Sequence, residues 1–190
     1  MADSNITKRA LAAALKDLMK ETSFEKISVG EICERCDMNR KSFYYHFRDK
    51  YDLVNWIFDI EFIAVAKKKE YEDTWELLTD ICEFFYKNRD FYRRALCIKG
   101  QNSFSDHFRD LLLAIIEKSL PDILQVEEVQ EFQRNFFADA FVMTFQRWIL
   151  EYTAMGPEEF LQQIKICIHY LAISYEELEE RTTENRKDKE

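Results

Sequence analysis

Between Ser28 and Lys50 the chain collects side chains suited to a nucleic-acid surface: Ser28, Asn39, Arg40, Lys41, Ser42, Tyr44, Tyr45, His46 and Lys50. An arginine guanidinium donates paired hydrogen bonds to guanine O6 and N7, the commonest specific contact to a base edge. A tyrosine covers a thymine methyl with its ring or reaches a phosphate with its hydroxyl. Ser28 and Asn39 are capping residues, and at a helix N-terminus backbone N–H groups and a capping side chain together suit a phosphate. The plainer reading of the same residues is a solvated, half-buried surface, so the elements that hold them decide between the two.

Those elements follow from spacing. Ser28 with Glu31 three residues on is a capping box, which starts a helix at Val29 and carries it to about Cys36. Ile27 and Ile32 form the hydrophobic staple across its start. Asp37 takes the turn, because aspartate tolerates the left-handed backbone better than most residues. Asn39 caps a helix over 40–46, in which Phe43 and Phe47, four apart, face inward and leave Arg40, Lys41, Tyr44 and Tyr45 outward. A preceding helix over 5–21 presents Ile6, Ala10, Leu11, Ala14, Leu15, Leu18 and Met19 on one face, with Phe24 and Ile27 tucked in after it. Two short helices across a tight turn read as a helix-turn-helix, whose second helix enters the DNA major groove.

Only three glycines and two prolines punctuate 190 residues, which predicts long helices with short connections and an all-α chain. A long helix over 50–71 links the head to the rest. Asp73 and Glu76 open a helix over 74–88, Asp90 a short one ending near Gly100, and Ser103 one that Pro121 stops at about Leu120. A long periodic segment covers 128–154, and after Gly156-Pro157 a last helix covers 158–175. The count is about nine helices. Residues 1–50 form the DNA-binding head, 51–175 a sensing and dimerisation body, and 176–190 a charged tail expected to fray.

Charge separates head from body. Residues 1–55 hold ten basic and nine acidic side chains, and the remainder 17 basic and 27 acidic. An acidic body is repelled by DNA, so binding belongs to the head and should be salt-sensitive. No apolar run approaches the ~20 residues that span a bilayer, and a secretory leader is not expected at the N-terminus. Five cysteines, odd in number and set in helical patterns, read as reduced thiols in a cytoplasmic protein. Cys33-x-x-Cys36 lacks the second pair a zinc site needs and reads as small core residues. No nucleophile–base set, phosphate loop or metal motif argues for an enzyme, and no cofactor is expected.

Phe43-Tyr44-Tyr45-His46-Phe47, followed by Lys50 and Leu53, resembles the recognition-helix ending and fourth-helix start of the TetR family of transcriptional regulators. The segment Tyr86–Phe108 is similar to a TetR-like subgroup associated with dihydroxyacetone kinase genes. Asp37 stands where the family usually has Gly, and Cys33 and Cys36 where it has Ala; the aspartate puts a negative charge near DNA. The resemblance implies an N-terminal three-helix domain plus a C-terminal bundle, a homodimer on a palindromic double-stranded operator, repression as the default, and control by an effector. It also makes Tyr45, His46 and Lys50 phosphate contacts.

In the body, a small-molecule effector would meet Trp75, Phe84, Phe91, Phe104, Phe108, Phe141 and Phe145, with Gln101, Asn102, His107, Gln146 and Arg147 as polar anchors. The bland alternative is that this aromatic stripe is core. A partner protein acting on a cavity-free body is the second possibility. The last two helices are apolar on more than one side, Ile166, Tyr170 and Ile173 lying away from the main face, so each needs more than one partner. Phe137, Trp148, Tyr152, Ile164, Ile168 and Leu171 are the expected dimer contacts.

Overall fold

The computed structural model of the chain describes the backbone of residues 2–124 and 128–187. Ten α-helices and no strand occur among them: α1 Ala2–Glu21, α2 Val29–Arg35, α3 Arg40–His46, α4 Lys50–Phe58, α5 Ala64–Ala66, α6 Thr74–Lys87, α7 Arg89–Ala95, α8 Phe104–Leu124, α9 Glu131–Leu150 and α10 Pro157–Lys187. A π-helical turn, Asp59–Ile63, joins α4 to α5. Because that rod is nearly continuous, the expectation of about nine helices matches the architecture.

Local chemistry explains most of the boundaries. Ser28 Oγ accepts from the Glu31 N–H at 3.2 Å while the Glu31 carboxylate accepts from the Ser28 N–H at 2.7 Å. Asp37 adopts φ 55°, and the Met38 N–H donates to the Cys33 carbonyl at 2.8 Å. That is a left-handed helix stop, formed by aspartate where glycine is commoner. Ser103 and Asp106 cap α8 reciprocally.

Several boundaries depart from the expectation: α7 stops at Ala95, short of Gly100, and α9 covers Glu131–Leu150 within the expected 128–154. Pro121 lies inside α8 instead of ending it. The helix loses one backbone hydrogen bond there, but Ile116 and Leu120 on the same turns are buried with Val129 and Ala138, so packing outweighs the breaker. The helix after Phe58 widens into the π-turn and stops at Ala66, short of Tyr71. And α10 continues to Lys187 through most of the tail expected to fray; Glu, Lys and Arg are good helix formers. Residues 188–190 of that tail lie outside the described residues.

One continuous core runs from Leu11 in α1 through Phe58 in α4 to Phe160 in α10. Phe58, fully buried, meets the rings of Phe62, Phe84, Phe85, Tyr92, Phe104 and Phe108, each within 6.1 Å. The helix leaving the N-terminal three-helix unit is thus embedded in the rest of the chain, not tethered to it. Polar stitches add to this. Arg94 in α7 donates to the Met19 carbonyl of α1. His107 Nε2 lies 2.7 Å from Asp59 Oδ1 on the π-turn, and that carboxylate raises the imidazole's pKa against the opposing effect of burial.

Candidate nucleic-acid interface

The recognition unit is held from behind. Phe43 is fully buried and Phe47 nearly so, fixing α3 against α1, α2 and α4. The Asn39 side-chain oxygen accepts from the Ser42 N–H at 2.9 Å and from the Ser42 hydroxyl at 3.2 Å. Ser28 caps α2, and Asn39 with Ser42 caps α3. With its inner face pinned, α3 leaves Arg40, Lys41, Tyr44 and Tyr45 exposed, Tyr45 to 82%. His46 is half-buried, its ring edge-on to Tyr45 at 4.9 Å.

Lys50 departs from its expected role. Its ammonium turns inward, 2.7 Å from the Phe24 carbonyl, 2.7 Å from the Ile27 carbonyl and 3.2 Å from the Glu25 carbonyl, and 4.5 Å from the centre of the Phe24 ring. A lysine has three donors, and all three are taken. Burial lowers its pKa, with Glu25 and Glu31 opposing. Lys50 clamps the connector between α1 and α2 to the start of α4 and does not offer its charge to a phosphate. Lys50→Met is therefore expected to cost about 1.5–3 kcal/mol of stability, the scale of hydrogen bonds to a charged group. The slope of log affinity against log salt should stay unchanged, whereas a lost phosphate contact would lower it by about one. Denaturation and salt titration of the variant check both.

Two cations beside α3 escaped the sequence reading. Lys8 of α1 lies 5.6 Å from the rings of both Phe47 and Trp56, next to the end of α3. Arg48, at the corner between α3 and α4, has a side chain 82% exposed, with its guanidinium 3.8 Å from Asp52. Lys8 carried no signal of its own, since only folding places α1's first turns beside α3.

Residues 10–57 match the family described as bacterial regulatory proteins, tetR family, and residues 73–170, just over half of the chain, match the transcriptional regulator C-terminal region TetR_C_8. The chain belongs to the TetR family of transcriptional regulators. It is 31% identical over 100 residues to the HTH-type dhaKLM operon transcriptional activator DhaS of Lactococcus lactis subsp. lactis (strain IL1403). That stretch is 52% of this chain and 53% of the relative, so the chain spans about half the length of the curated relative it matches. Among solved structures, the dihydroxyacetone kinase operon activator DhaS aligns with a TM-score of 0.60 at 22% identity, covering 89% of this chain and 95% of that one. A TetR transcriptional regulator from Streptococcus agalactiae 2603V aligns at 0.67 and 22% identity, covering 88% and 96%. Both show the fold.

In this TetR-family body the expected effector residues do not line one cavity. Phe104, Phe108 and Phe145 are buried ring against ring: Phe85 lies 4.9 Å from Phe108 and 5.0 Å from Phe145, and Phe104 lies 5.4 Å from Phe58. Phe84 closes on Phe62 at 5.1 Å. Phe91 lies apart, under the Lys16 ammonium in an open groove between α1 and α7. Trp75 and Phe141 share a crevice between α6, α8, α9 and α10 that encloses about 30 Å³, the room of a single water, and Trp75 also borders an open groove of about 530 Å³ between α6 and α8. The polar anchors are otherwise engaged or turned outward. Gln146 donates to the Leu96 carbonyl, His107 meets Asp59, and Gln101, Asn102 and Arg147 are exposed. So many large rings at helical spacing fill the interior by themselves.

The expected dimer contacts divide. Trp148 is fully buried, stacked on Phe160 at 4.3 Å, and Ile168 is 8% exposed, so both belong to the monomer's core. Ile164 and Phe137 are half-buried, while Tyr152 and Leu171 are exposed. On these two helices the most exposed apolar side chains are Phe132 (80%), Met143 (59%) and Phe136 (57%) on α9 and Tyr170 (67%) on α10, with Ile166 and Ile173 also exposed. Cys33 is buried and the Cys36 thiol donates to the Ile32 carbonyl; burial raises both pKa values, as for inert core thiols.

Proposed function

We propose that this chain is a sequence-specific DNA-binding regulator that acts as a homodimer on a two-fold symmetric operator, with α3 in the major groove. The observation that carries this is α3 itself: an inner face with a fully buried phenylalanine and an outer face of two exposed cations and two exposed tyrosines. Arg40, Lys41 and Tyr44 meet base edges; Tyr45, His46, Lys8 and Arg48 meet phosphates, and the capped ends at Ser28 and Asn39 set the register. The exposed apolar rows of α9 and α10 are the surface for the second copy. The relative DhaS is named an activator of the dhaKLM operon, and we extend that to an activating role on dihydroxyacetone kinase genes here, in place of the repression that family membership alone implies.

Tyr44→Ala and Lys41→Ala should each weaken operator binding by about 5- to 100-fold in fluorescence anisotropy, the loss of about 1–3 kcal/mol. Wild-type affinity in both would remove α3 as the reading helix. For the sign of regulation, a reporter behind the operator should lose expression when the chain is deleted; a rise would restore repression.

The ring-filled interior favours a particular mode of control. A protein partner on the surface suits this body better than a small molecule in its centre, because among the described residues that centre is packed ring against ring and the crevice beside Trp75 and Phe141 encloses only about 30 Å³. Differential binding of that partner to DNA-competent and incompetent dimers would do the switching.

A further inference from the structure

Gly30 stands in the first turn of α2 and is buried. Glycine is the least favourable residue for a helix after proline, so its presence there asks for a reason. Backbone freedom is not that reason, since the only glycine with positive φ among the described residues is Gly100. The reason lies in what a side chain would meet. A Cβ at position 30 would sit 2.6 Å from Arg40 Nη2 and 3.2 Å from both Cζ and Nε, and these are its three nearest atoms. Arg40 opens α3, so its guanidinium reaches back across the turn and lies on α2 where the Cβ is missing. Arg40 is itself exposed, so its guanidinium rests on α2 while keeping a side toward solvent.

We propose that Gly30 is a positioning residue for Arg40: by lacking a side chain it leaves the berth in which the guanidinium rests, so that Arg40 is presented to DNA already oriented. This rests on the reading that Arg40 contacts DNA. A long side chain held in its bound orientation loses less rotamer freedom on binding, which is how a residue that never touches the operator can affect affinity for it. The clash is with the far end of a flexible side chain, so Gly30→Ala moves the guanidinium and leaves the fold intact; alanine is also the better helix former.

The test uses four full-length proteins, wild type, Gly30→Ala, Arg40→Ala and the double variant. Each is assayed for affinity to a duplex selected by the wild type, for base preference along the half-site, and for Tm. Arg40→Ala should bind about 10- to 100-fold more weakly. Gly30→Ala should bind about 3- to 10-fold more weakly, relax preference at the same position, and melt no lower than wild type. The double variant should bind no more weakly than Arg40→Ala alone. Wild-type binding by Gly30→Ala, or the same Gly30→Ala penalty in both backgrounds, overturns the link between the two residues. Wild-type binding by Arg40→Ala overturns instead the reading beneath it, that Arg40 contacts DNA at all.

Discussion

Replacing Phe136 and Tyr170 together with glutamate is expected to leave the protein a folded monomer whose operator affinity is lower by about 10²- to 10⁴-fold, the advantage that linking two half-site contacts confers. Both side chains are more than half exposed in the single chain, so the substitution removes no core packing. Each aromatic, covered by a partner, would bury apolar surface worth about 1.5–3 kcal/mol. Each glutamate would instead have to bring an unpaired charge into that contact, which is costlier still. Phe132, Phe136 and Met143 on α9 and Ile166, Tyr170 and Ile173 on α10 recur at helical spacing, so they form two exposed rows, not scattered residues. Light scattering after gel filtration reads the mass, and anisotropy on the operator reads the affinity. A variant that remains dimeric would move the interface elsewhere.

Trp148→Ala is expected to act on the other side of α9 and with a different signature. Trp148 stacks on Phe160 with their planes 7° apart, meets Phe145 edge-on at 5.2 Å, and donates its indole N–H to the Met155 carbonyl at 3.0 Å. Removing a buried aromatic of this size costs about 3–5 kcal/mol. For a chain of this length, that should lower Tm by roughly 6–20 °C. Self-association of the protein that remains folded should be unchanged. A variant with normal Tm but weakened association would restore Trp148 to the dimer interface, where the sequence had placed it.

That contrast marks where sequence reasoning stops. The head was legible because its determinants are local: the Ser28–Glu31 box, the Asp37 stop and the Asn39 cap are each written within a few residues and form as expected. Phe43 and Phe47 then decide which side of α3 faces out. In α9 the same logic fails, because the helix is apolar all round and periodicity cannot tell the Trp148 side from the Phe136 side. Only the packing of α9 against α8 and of Trp148 on Phe160 chooses between them. The aromatic body misled for a related reason, since rings spaced to line a cavity are equally spaced to fill it. Lys50 shows a third limit. Its position in the motif is local information, but the three carbonyls that take its ammonium lie 23 to 26 residues earlier in the chain.

The measurement that bears most directly on the central claim is selection of bound duplexes from a random pool by the full-length wild-type protein, followed by salt titration of the winner. A two-headed reader carrying an α3 in each subunit should enrich a palindrome with half-site centres one helical turn apart, ~34–36 Å. Affinity should fall steeply and linearly on a log–log plot against salt, as released counterions require. Enrichment of an asymmetric single half-site would contradict the dimer, and no enrichment even at low salt would contradict α3 as a DNA-reading helix.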